Sequence, residues 1–128
     1  MFKKFLTVLC LITSLALLSN CAGQTAQQTT GTTMLAMHDL VKTSAESANA
    51  LCIQKIIPAD KCAKIKVVYD KFRQSWAVAD DALIVYLKAS PNDSAAATAF
   101  AIANTLFTQD YAQIIALLTD VGLLKGGN

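Results

Sequence analysis

The sequence predicts an all-α fold, an up-down-up antiparallel three-helix bundle. Three observations carry this expectation. Apolar residues recur at three- and four-residue spacing along three long stretches, with no alternating strand pattern. Pro58 and Pro91 separate those stretches at positions where helices break. Glycine and proline number only five and two in 128 residues, too few for a turn-rich β-barrel. The composition narrows function as well. At 54% hydrophobic and 16% charged the chain is too apolar for disorder, and its size excludes a two-domain enzyme. A net charge of +2 with intermixed signs argues against nucleic acid as a partner.

Residues 1–20 form the first element. Lys3 and Lys4 precede an apolar run from Phe5 to Leu18. As a helix this run would span about 21 Å, short of the roughly 30 Å hydrocarbon core of a bilayer. A basic start and a short apolar stretch describe a secretory signal peptide rather than a transmembrane anchor. Its loss removes two lysines, leaving nine basic and nine acidic residues and no net charge.

The run closes on Leu18-Ser19-Asn20-Cys21. This tetrapeptide resembles the lipobox of bacterial lipoproteins, a Leu-x-x-Cys pattern, with Asn20 standing where a small residue is usual. The resemblance covers only the first 21 residues. It implies cleavage before Cys21, a diacylglyceryl group on that cysteine, and a membrane as partner through covalent lipid. Ala22, rather than an aspartate, follows the cysteine. By resemblance to Gram-negative lipoproteins this implies the cell envelope, at the periplasmic face of the outer membrane. An ordinary signal peptide with an unlipidated Cys21 is the alternative.

Residues 21–33 follow as the lipidated cysteine and a flexible Thr/Gln-rich tether. The segment after Cys21 has no charge and no large apolar group to offset the entropy of ordering. The bundle is expected over residues 34–128. Its first helix is predicted from about Thr33 to Lys55, capped by Thr32 or Thr33. Met34, Met37, Val41, Ser44, Ala48 and Leu51 form its seam, with Leu40 and Cys52 beside them. The second helix starts at Pro58, whose fixed φ suits a first turn. Cys62, Ile65, Tyr69, Phe72, Trp76, Ala79, Leu83 and Tyr86 keep strict 3-4 spacing along it, the period of a bundle seam. Ile84, Val85 and Leu87 lie off the seam, as expected of a helix with two neighbours, or of an oligomer interface. Asp93 or Ser94 caps the third helix, whose seam runs Ala96, Phe100, Ala103, Phe107, Tyr111, Ile114, Leu118 and Val121, widened by Leu106, Ile115 and Leu117. Gly122 is its left-handed cap and Leu123 the accompanying apolar contact.

Cys10 belongs to the signal peptide, which leaves Cys52 and Cys62 as a pair. Each lies five residues from Ile57, so an antiparallel hairpin folded about Ile57 sets them opposite one another. Export to an oxidising compartment permits the bond, and two reduced core cysteines are the alternative. Closing this ring stabilises by roughly 3 kcal/mol through chain entropy.

Little else points to chemistry. His38 is the only histidine, and with Met34 and Met37 it forms a sparse set of soft metal ligands. Phe72, Trp76, Phe100 and Phe107 are candidates for the lining of an apolar ligand pocket, or for plain core. Asp80 and Asp81 diverge on a helix, Asp110 has no carboxylate partner, and there is no phosphate-binding glycine loop. The second helix carries Lys61, Lys64, Lys66, Lys71 and Arg73 against Asp60 and Asp70, and the third carries only Asp93, Asp110 and Asp120. This basic face suits solvent, the acidic helix, anionic headgroups or an acidic partner. The expectation is a non-enzymatic structural or interaction module. It needs no cofactor, and its partner is an envelope protein or a second copy. A bundle binding a small hydrophobic ligand or metal is the alternative.

Overall fold

The computed structural model describes residues 26–125. Helix α1 spans Ala26–Ile53, α2 Ala59–Lys88 and α3 Ser94–Asp120. No strand occurs among the described residues. The protein is an all-α three-helix bundle, and its compact unit begins at Gly31. The signal-peptide and lipidation expectations, residues 1–20 and Cys21, lie outside the described residues.

Contacts between helices fix their direction. Cys52 and Cys62 sit at disulfide distance with Cα atoms 6.0 Å apart. The His38 ring stacks on Trp76, and a Cβ built on Gly31 would lie 3.1 Å from Leu83 Cδ2. These pairs are five, nineteen and twenty-six residues either side of Ile57. One antiparallel hairpin therefore holds its register along most of α1. Helices α2 and α3 are antiparallel as well: Tyr86 meets Phe100 near their connection, Trp76 meets Phe107 farther along, and Lys61 bonds Asp120 at the far end.

The predicted seams meet inside. Met34, Val41 and Ala48 from α1 join Ile65, Phe72, Ala79 and Leu83 from α2 and Ala103, Phe107, Ile114 and Leu118 from α3. Phe72 and Phe107 are fully buried, with centroids 5.4 Å apart, a separation at which aromatic pairs attract beyond simple burial. Ile57, in the α1–α2 turn, is 5% exposed and closes one end of the core.

Two features depart from expectation. Helix α1 begins at Ala26, so residues 26–33 are helical rather than tether. Thr32 and Thr33 are thus interior helix positions and not caps. Alanine and glutamine are good helix formers, and no proline interrupts the segment. Gly31, without a side chain, leaves room for Leu83. The off-seam apolar residues also differ. Ile84, Val85 and Leu87 on α2, Leu106 on α3 and Leu40 on α1 are all exposed, because the buried faces are narrower than the apolar ones.

The helix ends follow local chemistry. The Asp93 carboxylate accepts a hydrogen bond from the Ala96 amide at 3.0 Å, capping α3. At the other end of α3 the Gly122 amide donates to Thr119 and the Leu123 amide to Leu118, with Gly122 at φ 83°. This is a Schellman motif. Helix α1 ends in the same one: the Lys55 amide donates to Cys52, the Ile56 amide to Leu51, and Lys55 has φ 60°.

Candidate functional site

Two connected surface features stand out, both built on the α1–α2 hairpin. The first is a pair of grooves along its flank that share Asp70. One, of about 610 Å³, lies beside the disulfide. From α1 it is lined by the small Ala45 and Ala48 together with Glu46, Asn49 and Cys52, and Glu46, Lys66 and Asp70 give it charges of both signs. The second, of about 540 Å³, is lined by His38, Trp76, Asp70 and Arg73 among others.

The groove side chains are held by one another. The His38 ring lies 4.5 Å from Trp76 at 25° and its Nδ1 is 3.3 Å from Asp39 Oδ1. The Arg73 guanidinium sits 5.9 Å from the centroid of Tyr69, within cation–π range. Partial burial pushes the Tyr69 phenol above its usual range, and Arg73 acts in the opposite direction. Such a flank offers aromatic stacking and mixed-sign hydrogen bonding.

The structure separates the other candidates. Phe72 and Phe107 fill the core against each other, and Trp76 packs on Phe107 from the groove side at 5.7 Å. Phe100 instead pairs with Tyr86, nearly parallel at 5.6 Å. Met34 is a core residue and Met37, which directly precedes His38, packs against the core. Among the described residues no group of three His, Cys, Asp or Glu side chains is placed to hold a metal ion. None of the described helices is long and apolar enough to cross a membrane.

The second feature is the α1–α2 turn itself, which sequence reasoning treated only as a hinge. Ile53 and Ile56 are 74% and 63% exposed, the two highest values among the exposed large apolar side chains of the described residues. Lys55 stands between them. The ion pair of Lys61 Nζ with Asp120 Oδ2, at 2.8 Å, joins α2 to α3 at this end. That hydrogen bond and the attraction between the charges raise the Lys61 pKa and lower that of Asp120. The sequence signal was present: two isoleucines and a lysine in the four residues before the buried Ile57 and Pro58. No protein-family model, curated protein or solved structure matches the chain.

Proposed function

We propose that the protein is a small membrane-anchored bacterial envelope lipoprotein whose bundle acts as a non-enzymatic structural or protein-interaction module. The observation that carries this reading is Leu18-Ser19-Asn20-Cys21 closing a short apolar run that starts at Lys3 and Lys4. Two or three acyl chains on Cys21 give stable attachment where one gives only reversible binding. The Cys52–Cys62 pair suits the oxidising compartment that export implies. The filled centre of the bundle, with Phe72 and Phe107 fully buried, favours work done on the surface. Ala22 supports the periplasmic face of the outer membrane as the location.

Intact mass of the protein purified from bacterial membranes tests the reading. The expected mass lacks residues 1–20 and carries diacylglycerol, and Cys21→Ser abolishes both changes. A mature mass without lipid overturns the anchored reading.

A second reading has an observation of its own. Trp76 lines a groove next to His38, Asp70 and Arg73, an arrangement suited to a small aromatic or apolar ligand. Saturable quenching of Trp76 fluorescence by such a ligand favours it, and an unresponsive signal across a ligand panel discards it.

A further inference from the structure

We propose that the α1–α2 turn is a membrane-contact tip: Ile53 and Ile56 enter the headgroup region of an anionic bilayer, and Lys55 with neighbouring lysines engages the lipid phosphates. Four observations meet here. Ile53 and Ile56 are the most exposed of the large apolar side chains noted above, one on the last residue of α1 and the other in the turn that follows it. The turn is held in shape from three sides, by the Schellman hydrogen bonds, the Cys52–Cys62 pair and the buried Ile57. An exposed apolar element that is already ordered loses little entropy on binding.

Lys55 is the third observation. Its φ of 60° is a conformation that favours glycine, yet the position holds a long cation directly between the two isoleucines. Strained backbone positions cluster where function needs them. The fourth is charge. Lys55, Lys61, Lys64 and Lys125 lie at this end of the bundle against Asp60 and Asp120, and Asp120 is engaged by Lys61. The excess is positive, which selects an anionic surface over a neutral one. This inference stands on the described residues and does not depend on lipid at Cys21. Helix α1 covers about 33 Å between Gly31 and Ile53.

The test uses the full chain with a single tryptophan moved to the tip. The protein has one tryptophan, so Trp76→Phe with Ile56→Trp reports the turn alone. Ile53→Trp in the same background serves if the first variant loses its helical circular dichroism. The expected result is a blue-shifted emission that is quenched by brominated acyl chains in vesicles of phosphatidylglycerol and phosphatidylcholine. Adding Lys55→Gln and Lys64→Gln should weaken that tip signal roughly 25-fold in lipid concentration, about fivefold per lysine. Three outcomes overturn the proposal. The tip emission stays that of an indole in water while the chain floats with anionic vesicles. Quenching is equal in pure phosphatidylcholine and indifferent to the lysines. Or the shift arises without vesicles and grows with protein concentration, which assigns the tip to a second copy. The mass of the Cys21 species is read separately, so failure here and failure of the anchored reading are distinguishable.

Discussion

Helices α1 and α3 end in the same hydrogen-bonded motif and fill its left-handed position differently. At the end of α3 that position is Gly122, with no atom within 4 Å of where a Cβ would stand. At the end of α1 it is Lys55, an L-residue in a conformation costing about 1–2 kcal/mol. The α3 end depends on its own glycine and on Leu123 against the core. The α1 end is over-determined: the adjoining disulfide pair and the buried Ile57 hold the backbone whichever residue occupies the turn. A strained residue persists where other interactions already dictate the shape, and that freedom lets side-chain chemistry choose its occupant.

The largest expected effect removes the over-determination. Cys52→Ala with Cys62→Ala should lower unfolding free energy by roughly 3 kcal/mol, read from a denaturant midpoint. Amide exchange should then quicken at Ile56, whose partner is Leu51, while the Leu123 amide keeps its protection. Equal acceleration at both ends would break the comparison.

Next in size is Gly122→Ala. It should cost about 1–2 kcal/mol from backbone conformation alone, because a methyl group there meets nothing. Lys55→Gly should act in the opposite direction, stabilising by about 0.5 kcal/mol once the added freedom of the unfolded glycine is subtracted. Thermal melts of the two variants give opposite shifts if the motifs are equivalent. The proposed tip adds a condition: Lys55→Gly should be more stable and bind anionic vesicles less well.

The smallest effect is electrostatic. The depressed Asp120 pKa contributes stability above the ordinary carboxylate range, lost as pH falls through the folded value. The raised Lys61 pKa contributes below the ordinary lysine range, lost as pH rises through its folded value. The pair thus favours the fold between those two limits. Both groups are solvent-facing, so the effect should be slight and weakened by salt. An NMR titration of the Asp120 carboxyl should return to the ordinary range in Lys61→Met, and an unmoved midpoint would refute the pairing.

The seams were legible because burial here follows 3-4 spacing, so every predicted seam residue from Met34 to Val121 is buried or packed against the core. The start of α1 was not, because a Thr/Gln-rich segment without large apolar groups reads the same as tether or as helix continuation. Ile84, Val85, Leu87 and Leu106 misled for the reverse reason: apolar character marks what burial tolerates, and neighbouring helices cover only part of it. The His38–Trp76 stack was within reach. The hairpin centre at Ile57 that pairs Cys52 with Cys62 also pairs those two rings. Lys55 was hidden because sequence signals for a left-handed cap look for glycine or asparagine.

The position of Lys55 bears on proteolysis. It is an exposed lysine enclosed in the short ring that Cys52 and Cys62 close. Trypsin-like cleavage after Lys55 would open the backbone at the turn without freeing either piece. The nicked protein would run as one species on a non-reducing gel and as two after reduction, α1 parting from the α2–α3 hairpin. Clipping at this site becomes a detachment event only where thiols are reducing.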